Sequence, residues 1–139
     1  MSKLSIQERD LHGVTMIDLD GRIALGETNR RLHETIRRVV SEGKKQIVLN
    51  LANVTYIDSS GLGEIVSGFT TLKANDGALK LVNVPVRVAD LMTITKLYTV
   101  FDIYHEEIDA IYSFDAAAGQ RTTQPLDAEL LNAVPASTV

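Results

Sequence analysis

Apolar and polar positions change period several times along the chain, and each change predicts an element. Leu4, Ile6 and Glu8 open an alternating stretch that ends at the turn pair His12-Gly13. Val14-Thr15-Met16-Ile17-Asp18-Leu19 reads as a second strand with Val14, Met16 and Ile17 or Leu19 inward, and Asp20-Gly21 closes it with turn chemistry. So short a connection makes the two strands antiparallel. From 27 or 28 to 41 the period becomes helical. Leu32, Ile36, Val39 and Val40 form one stripe, Glu27 suits the positive end of the dipole, and Gly43 is the stop. Gln46-Ile47-Val48-Leu49-Asn50-Leu51 then reads as a strand, its unbroken apolar run predicting cover on both faces.

The second half repeats the scheme. From 61 to about 74 the helical period returns through Leu62, Ile65, Val66, Phe69 and Leu72. Asn75-Asp76-Gly77 turns the chain into a strand at 79–82. Pro85 opens a short helix through Val88, Leu91 and Met92 to about 95. A last strand is expected at 100–103 and a last helix at 106–114, with Ile108, Ile111 and Tyr112 inward. Strands alternating with helices imply right-handed crossovers. The expected fold is therefore α/β, a mixed and mostly parallel sheet of four to five strands flanked by four to five helices. Residues 1–114 make one domain. From Asp115 no period survives, and 115–139 reads as a disordered C-terminal tail with a transient helix at 127–133.

Composition removes several classes of function. A chain of 139 residues, 45% apolar, supports one domain that buries roughly 70% of its unfolded surface. Fourteen Lys and Arg stand against eighteen Asp and Glu, for a net charge of −4. Nucleic-acid affinity needs clustered cations. The basic pairs Arg30-Arg31 and Arg37-Arg38 lie seven residues apart and read as the solvated side of the first helix, so no direct nucleic-acid partner is expected. No apolar run approaches the ~20 residues of a membrane span, so no membrane insertion is expected. The first ten residues show no apolar core of a signal peptide. There is no Cys, which excludes disulfides and thiolate chemistry and fits a reducing compartment.

One local sequence asks for chemistry: Tyr56-Ile57-Asp58-Ser59-Ser60-Gly61-Leu62-Gly63-Glu64, where a strand passes into a helix. Capping by Ser59 or Ser60 would account for one hydroxyl. Two glycines in the first turns cost about 0.5–1 kcal/mol each relative to Ala, and close backbone packing would account for them. The functional alternative begins from the positive end of the helix, a natural seat for phosphate. A phosphoryl group on Ser59 adds about −1.5 to −2 charges beside Asp58, enough to expel a partner fitted to the neutral serine. Enzymatic patterns fit poorly. Ser59 has Gly61 two after it but Ile57 two before it, half of a hydrolase elbow. His12, His33 and His105 read as surface residues, and neither a Walker A loop nor Gly-x-Gly-x-x-Gly is present.

The segment Ile47-Val48-Leu49-Asn50-Leu51, then Val54, then Tyr56-Ile57-Asp58-Ser59-Ser60-Gly61-Leu62-Gly63 resembles the signature of bacterial anti-sigma factor antagonists, which are single STAS domains. The resemblance spans roughly residues 4 to 114. It implies a cytoplasmic partner-switching regulator of transcription. An anti-sigma factor that is itself a serine kinase of the GHKL type binds near the helix entrance and phosphorylates the first hydroxyl after the aspartate, here Ser59. The unmodified antagonist holds that kinase and frees a sigma factor, the phosphorylated form lets go, and a phosphatase of the PP2C type restores it. ATP and magnesium belong to the kinase, so this chain carries no cofactor and is not an enzyme.

The implied partner-binding residues are Asp58, Ser59, Ser60, Gly61, Leu62, Gly63 and Glu64, with Arg22. A weak homodimer is compatible with the same reading. Family members often carry acidic residues just after the glycine that ends the second strand. Here Arg22 and Ala24 stand at those positions, and an arginine there is able to pair with the phosphate. A second reading keeps the fold but makes the chain a docking subunit of a transporter or sensory complex, with Ser59 only a cap. A third, a small hydrolase, needs a histidine within reach of Ser59.

Overall fold

The computed structural model describes residues 3–120. Its elements follow in the order β1 (Leu4–Leu11), β2 (Val14–Ile23), α1 (Glu27–Ser41), β3 (Gln46–Ile57), α2 (Ser59–Ala74), β4 (Ala78–Val82), α3 (Val86–Thr95), β5 (Ile103–Tyr104) and α4 (Glu107–Gln120), with one 3-10 turn at Leu97–Thr99. The five strands lie in sequence order across one sheet. β1 is antiparallel to β2, and β2, β3, β4 and β5 run parallel. The fold is the α/β arrangement expected.

Strand order explains where the helices go. Each crossover from β2 to β5 steps in the same direction, and right-handed crossovers then deposit α1, α2 and α3 on one face. That face holds the main core, with Ile17, Leu19, Ile47, Leu49, Leu79 and Leu81 of the sheet under Leu32, Ile36, Val39, Leu62, Ile65, Leu72, Val88 and Met92. The other face is covered by α4, whose Ala110, Ile111 and Phe114 pack on Val14, Met16, Val48 and Val82. Both faces of β3 are therefore buried, as its apolar run required. Arg9 ties α4 to the sheet, donating to Asp18 at 2.6 and 2.8 Å and to Glu107 at 3.0 and 3.3 Å.

Several expectations change. β2 does not stop at Asp20-Gly21 but runs on to Ile23. Gly21 is there because β1 comes close: a Cβ would lie 2.2 Å from the Lys3 carbonyl oxygen. β3 likewise continues to Ile57, with two register shifts against β2 on the way. The last strand is only Ile103–Tyr104. Val100 closes the 3-10 turn, and Phe101 turns into the core against Phe69, edge to face at 5.5 Å. On α4, Ile111 faces inward as expected, but Ile108 and Tyr112 are exposed, and Ala110 and Phe114 complete the inward face in their place. That helix runs past Phe114 to Gln120, and the expected tail beyond it, with its helix at 127–133, lies outside the described residues. The basic pairs of α1 are only partly solvated: Arg31 donates to the Leu4 carbonyl and Arg38 to Glu8 and Glu42.

Candidate functional site

β2 and β3 are parallel neighbours, and α1 and α2 begin just after them. Both helix N-termini therefore stand side by side at the carboxyl edge of the sheet, where their dipoles add positive potential. α2 approaches unusually closely. The Asp58 N–H donates to the Ile23 carbonyl at 3.3 Å, and a Cβ on Gly61 would lie 2.2 Å from that same oxygen. Gly61 is thus required by packing. Gly63 is not, since nothing lies within 4 Å of where its Cβ would be.

The cap of α2 is Asp58, neither of the serines. Its Oδ1 accepts from the Gly61 N–H at 2.8 Å and from the Ser60 hydroxyl at 2.6 Å. Its Oδ2 accepts from the Leu25 N–H at 3.1 Å, which binds the β2–α1 loop to the helix entrance. Burial works against the charge, but these donors outweigh it and hold the carboxyl below its ordinary range. Ser60 is engaged from both sides, because the Asn29 amide donates to its Oγ at 2.9 Å. Ser59 differs. It is the first residue of α2, its side chain is exposed, and among the described residues its hydroxyl has no hydrogen-bond partner.

The remaining residues of the segment divide. Leu62 is buried in the main core and presents no side chain to the surface. Glu64 reaches α1, its carboxylate 3.0 Å from His33 Nδ1, so His33 is a contact between helices. Arg22 stands at the end of β2 with its guanidinium 4.1 Å above the Tyr56 ring, and its Nε is buried without a partner among the described residues. Alternation along β2 puts Arg22 on the face opposite Ile23, so it borders the site from the far side of the sheet.

Two contributors were not read from the sequence. Thr28 and Asn29, in the first turn of α1, are buried polar residues. Thr28 Oγ1 closes the loop through both the N–H and the carbonyl of Ala24 at 3.0 Å, and Asn29 reaches Ser60. Leu25, on the same loop, is 83% exposed beside the cap. Their signal was available: positions 28 and 29 continue the stripe of Leu32 and Ile36 back by one turn.

Among the described residues no helix is long and apolar enough to cross a membrane. A family model described as STAS domain matches residues 5–110. The chain is 26% identical over 118 residues to the anti-sigma F factor antagonist of Paenibacillus polymyxa, covering 83% of this chain and 98% of that one. Its fold is similar to the crystal structure of an anti-sigma factor antagonist from Mycobacterium paratuberculosis, with a TM-score of 0.72 and 22% identity over 80% of this chain and 93% of that one. It is also similar to a Bacillus cell fate determinant solved in its phosphorylated form, with a TM-score of 0.63 and 18% identity over 81% and 99%.

Proposed function

Since this chain belongs to the STAS domain family, we propose that it is an anti-sigma factor antagonist switched by phosphorylation of Ser59. Unmodified, it binds an anti-sigma factor serine kinase through the entrance of α2, from Asp58 to Glu64, and so frees a sigma factor. The Ser59 hydroxyl attacks the γ-phosphorus of the kinase's ATP. A new O–P bond forms as the bond to ADP breaks, and the hydroxyl proton leaves to solvent or to a base on the kinase. The product carries about −1.5 to −2 extra charges. Beside the ionised Asp58 this puts an anionic group where the partner met a neutral hydroxyl, and the kinase dissociates. A PP2C-type phosphatase hydrolyses the ester and resets the switch. Arg22, held over Tyr56, borders that surface and selects among kinases.

The observation that carries this reading is the division of labour at the helix entrance. Asp58 performs the capping, which leaves the neighbouring hydroxyl exposed and unpartnered. A serine kept only as a cap would be bonded to the helix it caps. The names of the relatives and the phosphorylated structural neighbour support it. The test is incubation with the anti-sigma factor kinase of the same organism and magnesium ATP, followed by mass spectrometry. One phosphate is expected on Ser59 and none on Ser59→Ala, while Ser59→Asp binds the kinase more weakly. A wild-type chain that takes no phosphate, or equal affinity for the Asp variant, refutes the switch.

A further inference from the structure

We propose that Asn29 is a positioning residue for the phosphoryl acceptor: acting through Ser60, it keeps Asp58 locked as the helix cap and so leaves the Ser59 hydroxyl free. This rests on the reading of Ser59 as the acceptor.

The geometry is a relay of three side chains from two helices. Asn29 Nδ2 donates to Ser60 Oγ at 2.9 Å, and Ser60 Oγ donates to Asp58 Oδ1 at 2.6 Å. An amide nitrogen has protons and no lone pair to offer, so it fixes the direction of the whole chain. With a donor from Asn29 on its lone pair, the Ser60 proton is directed to Asp58. The carboxylate then has the Ser60 hydroxyl and the Gly61 N–H on Oδ1 and the Leu25 N–H on Oδ2, with the Ser60 backbone N–H as a further donor. Its strongest acceptor sites are occupied, and it has little to gain from the adjacent Ser59 hydroxyl.

Asn29 itself shows what it is there for. The residue is 7% exposed, and its Oδ1 is buried with no hydrogen-bond partner among the described residues. A buried, unpaired carbonyl is a standing penalty. At a position on the same stripe as Leu32 and Ile36, an aliphatic side chain would bury without it. The donor to Ser60 is what such a side chain would lack.

Loss of that donor has a defined consequence. Without it the Ser60 hydroxyl is free to rotate away from Asp58, and a carboxylate short of that donor competes for the adjacent Ser59 hydroxyl. A Ser59 turned back onto its own helix end is misplaced for in-line transfer. Displacement of a reacting atom by about 1 Å costs up to about a hundredfold in rate. The effect belongs to the transfer step, since Asn29 is buried and touches no partner directly.

The experiment uses the full chain as wild type, Asn29→Ala, Ser60→Ala and the double variant, with the anti-sigma factor kinase of the same organism and magnesium ATP. Single-turnover phosphorylation of Ser59 and the kinase Kd are measured separately, and amide exchange is followed at Leu25 and Gly61. Asn29→Ala should slow transfer at saturating kinase about ten- to hundredfold, leave Kd within about threefold and speed exchange at both amides. The double variant should be no slower than Ser60→Ala, because the relay acts as one unit. An unchanged transfer rate in Asn29→Ala, or losses that add in the double variant, overturns the proposal. If wild type takes no phosphate, the functional reading fails by itself. Exchange at Leu25 and Gly61 then still decides whether Asn29 orders the cap: faster exchange supports it and unchanged exchange ends it.

Discussion

Gly61→Ala and Gly63→Ala add the same methyl group two residues apart on α2, and the structure assigns them opposite signs. At Gly61 the new carbon would lie 2.2 Å from the Ile23 carbonyl oxygen and 2.9 Å from the carbonyl carbon and Cγ2 of the same residue. That oxygen belongs to the end of β2 and accepts the Asp58 N–H, so it yields only if the first turn of α2 lifts away. Overpacking of this kind costs about 1–3 kcal/mol, and the strained hydrogen bond about 1 kcal/mol more. Better helix propensity returns about 0.5–1 kcal/mol. The net loss is about 1–3 kcal/mol. At Gly63 only the propensity gain remains, because the space is open.

For a domain of this length 1 kcal/mol moves Tm by about 3–4 °C. Gly61→Ala should therefore lower Tm by roughly 4–10 °C and Gly63→Ala raise it by about 2–4 °C. Calorimetry reads this directly, and urea titration with an unchanged m value shows that only stability moved. A Gly61→Ala chain as stable as wild type, or a destabilised Gly63→Ala, refutes the packing account. A glycine that weakens an exposed helix with no local reason fits a surface approached closely by another chain. The more stable Gly63→Ala should accordingly bind the anti-sigma factor kinase about tenfold or more weakly, and equal affinity would remove Gly63 from the interface.

Leu25→Asp should leave stability within about 0.5 kcal/mol, as expected for an exposed loop side chain, yet weaken kinase binding in isothermal titration; unaltered binding would place Leu25 outside the docking surface. Asp58→Ala removes the α2 cap and should cost about 1 kcal/mol at neutral pH. Burial disfavours the Asp58 charge, but the donors from Ser60, Gly61 and Leu25 prevail and the folded pKa is lowered. The stabilisation is therefore complete above the unfolded value of about 3.9 and is lost as pH falls through the lower folded value. The stability gap between wild type and Asp58→Ala should shrink below about pH 4, and a gap undiminished at the acid end of a urea series contradicts the assignment.

What was legible in the sequence was whatever a single element decides for itself. The α1 stripe, the doubly buried run of β3 and the Asp-Ser-Ser-Gly entrance are local patterns, and each appears where its residues lie. The misreadings all depended on a distant partner. Val100, Phe101 and Ile103 have the side chains of a strand, but β5 can pair only where β4 offers Leu81 and Val82, so the ladder is confined to Ile103 and Tyr104. Phe101 serves better against Phe69 in the core. On α4 the sets 108, 111, 112 and 110, 111, 114 are comparable apolar stripes. The narrow cluster of Val14, Met16, Val48 and Val82 selects the one led by small Ala110. No window of the sequence contains that cluster.

The motif is visible in the sequence and its supports are not, because Thr28 and Asn29 lie on another helix. Along α1 the inward stripe runs Thr28, Asn29, Leu32, Ile36, Val39, polar at one end and aliphatic at the other. The aliphatic part lies over the middle of the sheet, where apolar atoms face it. The polar part lies past the last residues of β2 and β3, where the strands have ended and the inward side meets loop backbone and the α2 entrance. A parallel sheet leaves its unpaired groups and its helix N-termini at this carboxyl edge, which is why binding sites gather there. One helix thus supplies core and site with a single stripe, and the residue at which the stripe turns from aliphatic to polar marks the boundary between them. On α1 that boundary falls between Leu32 and Asn29, and Asn29 is the side chain that donates to Ser60, the neighbour of the exposed Ser59.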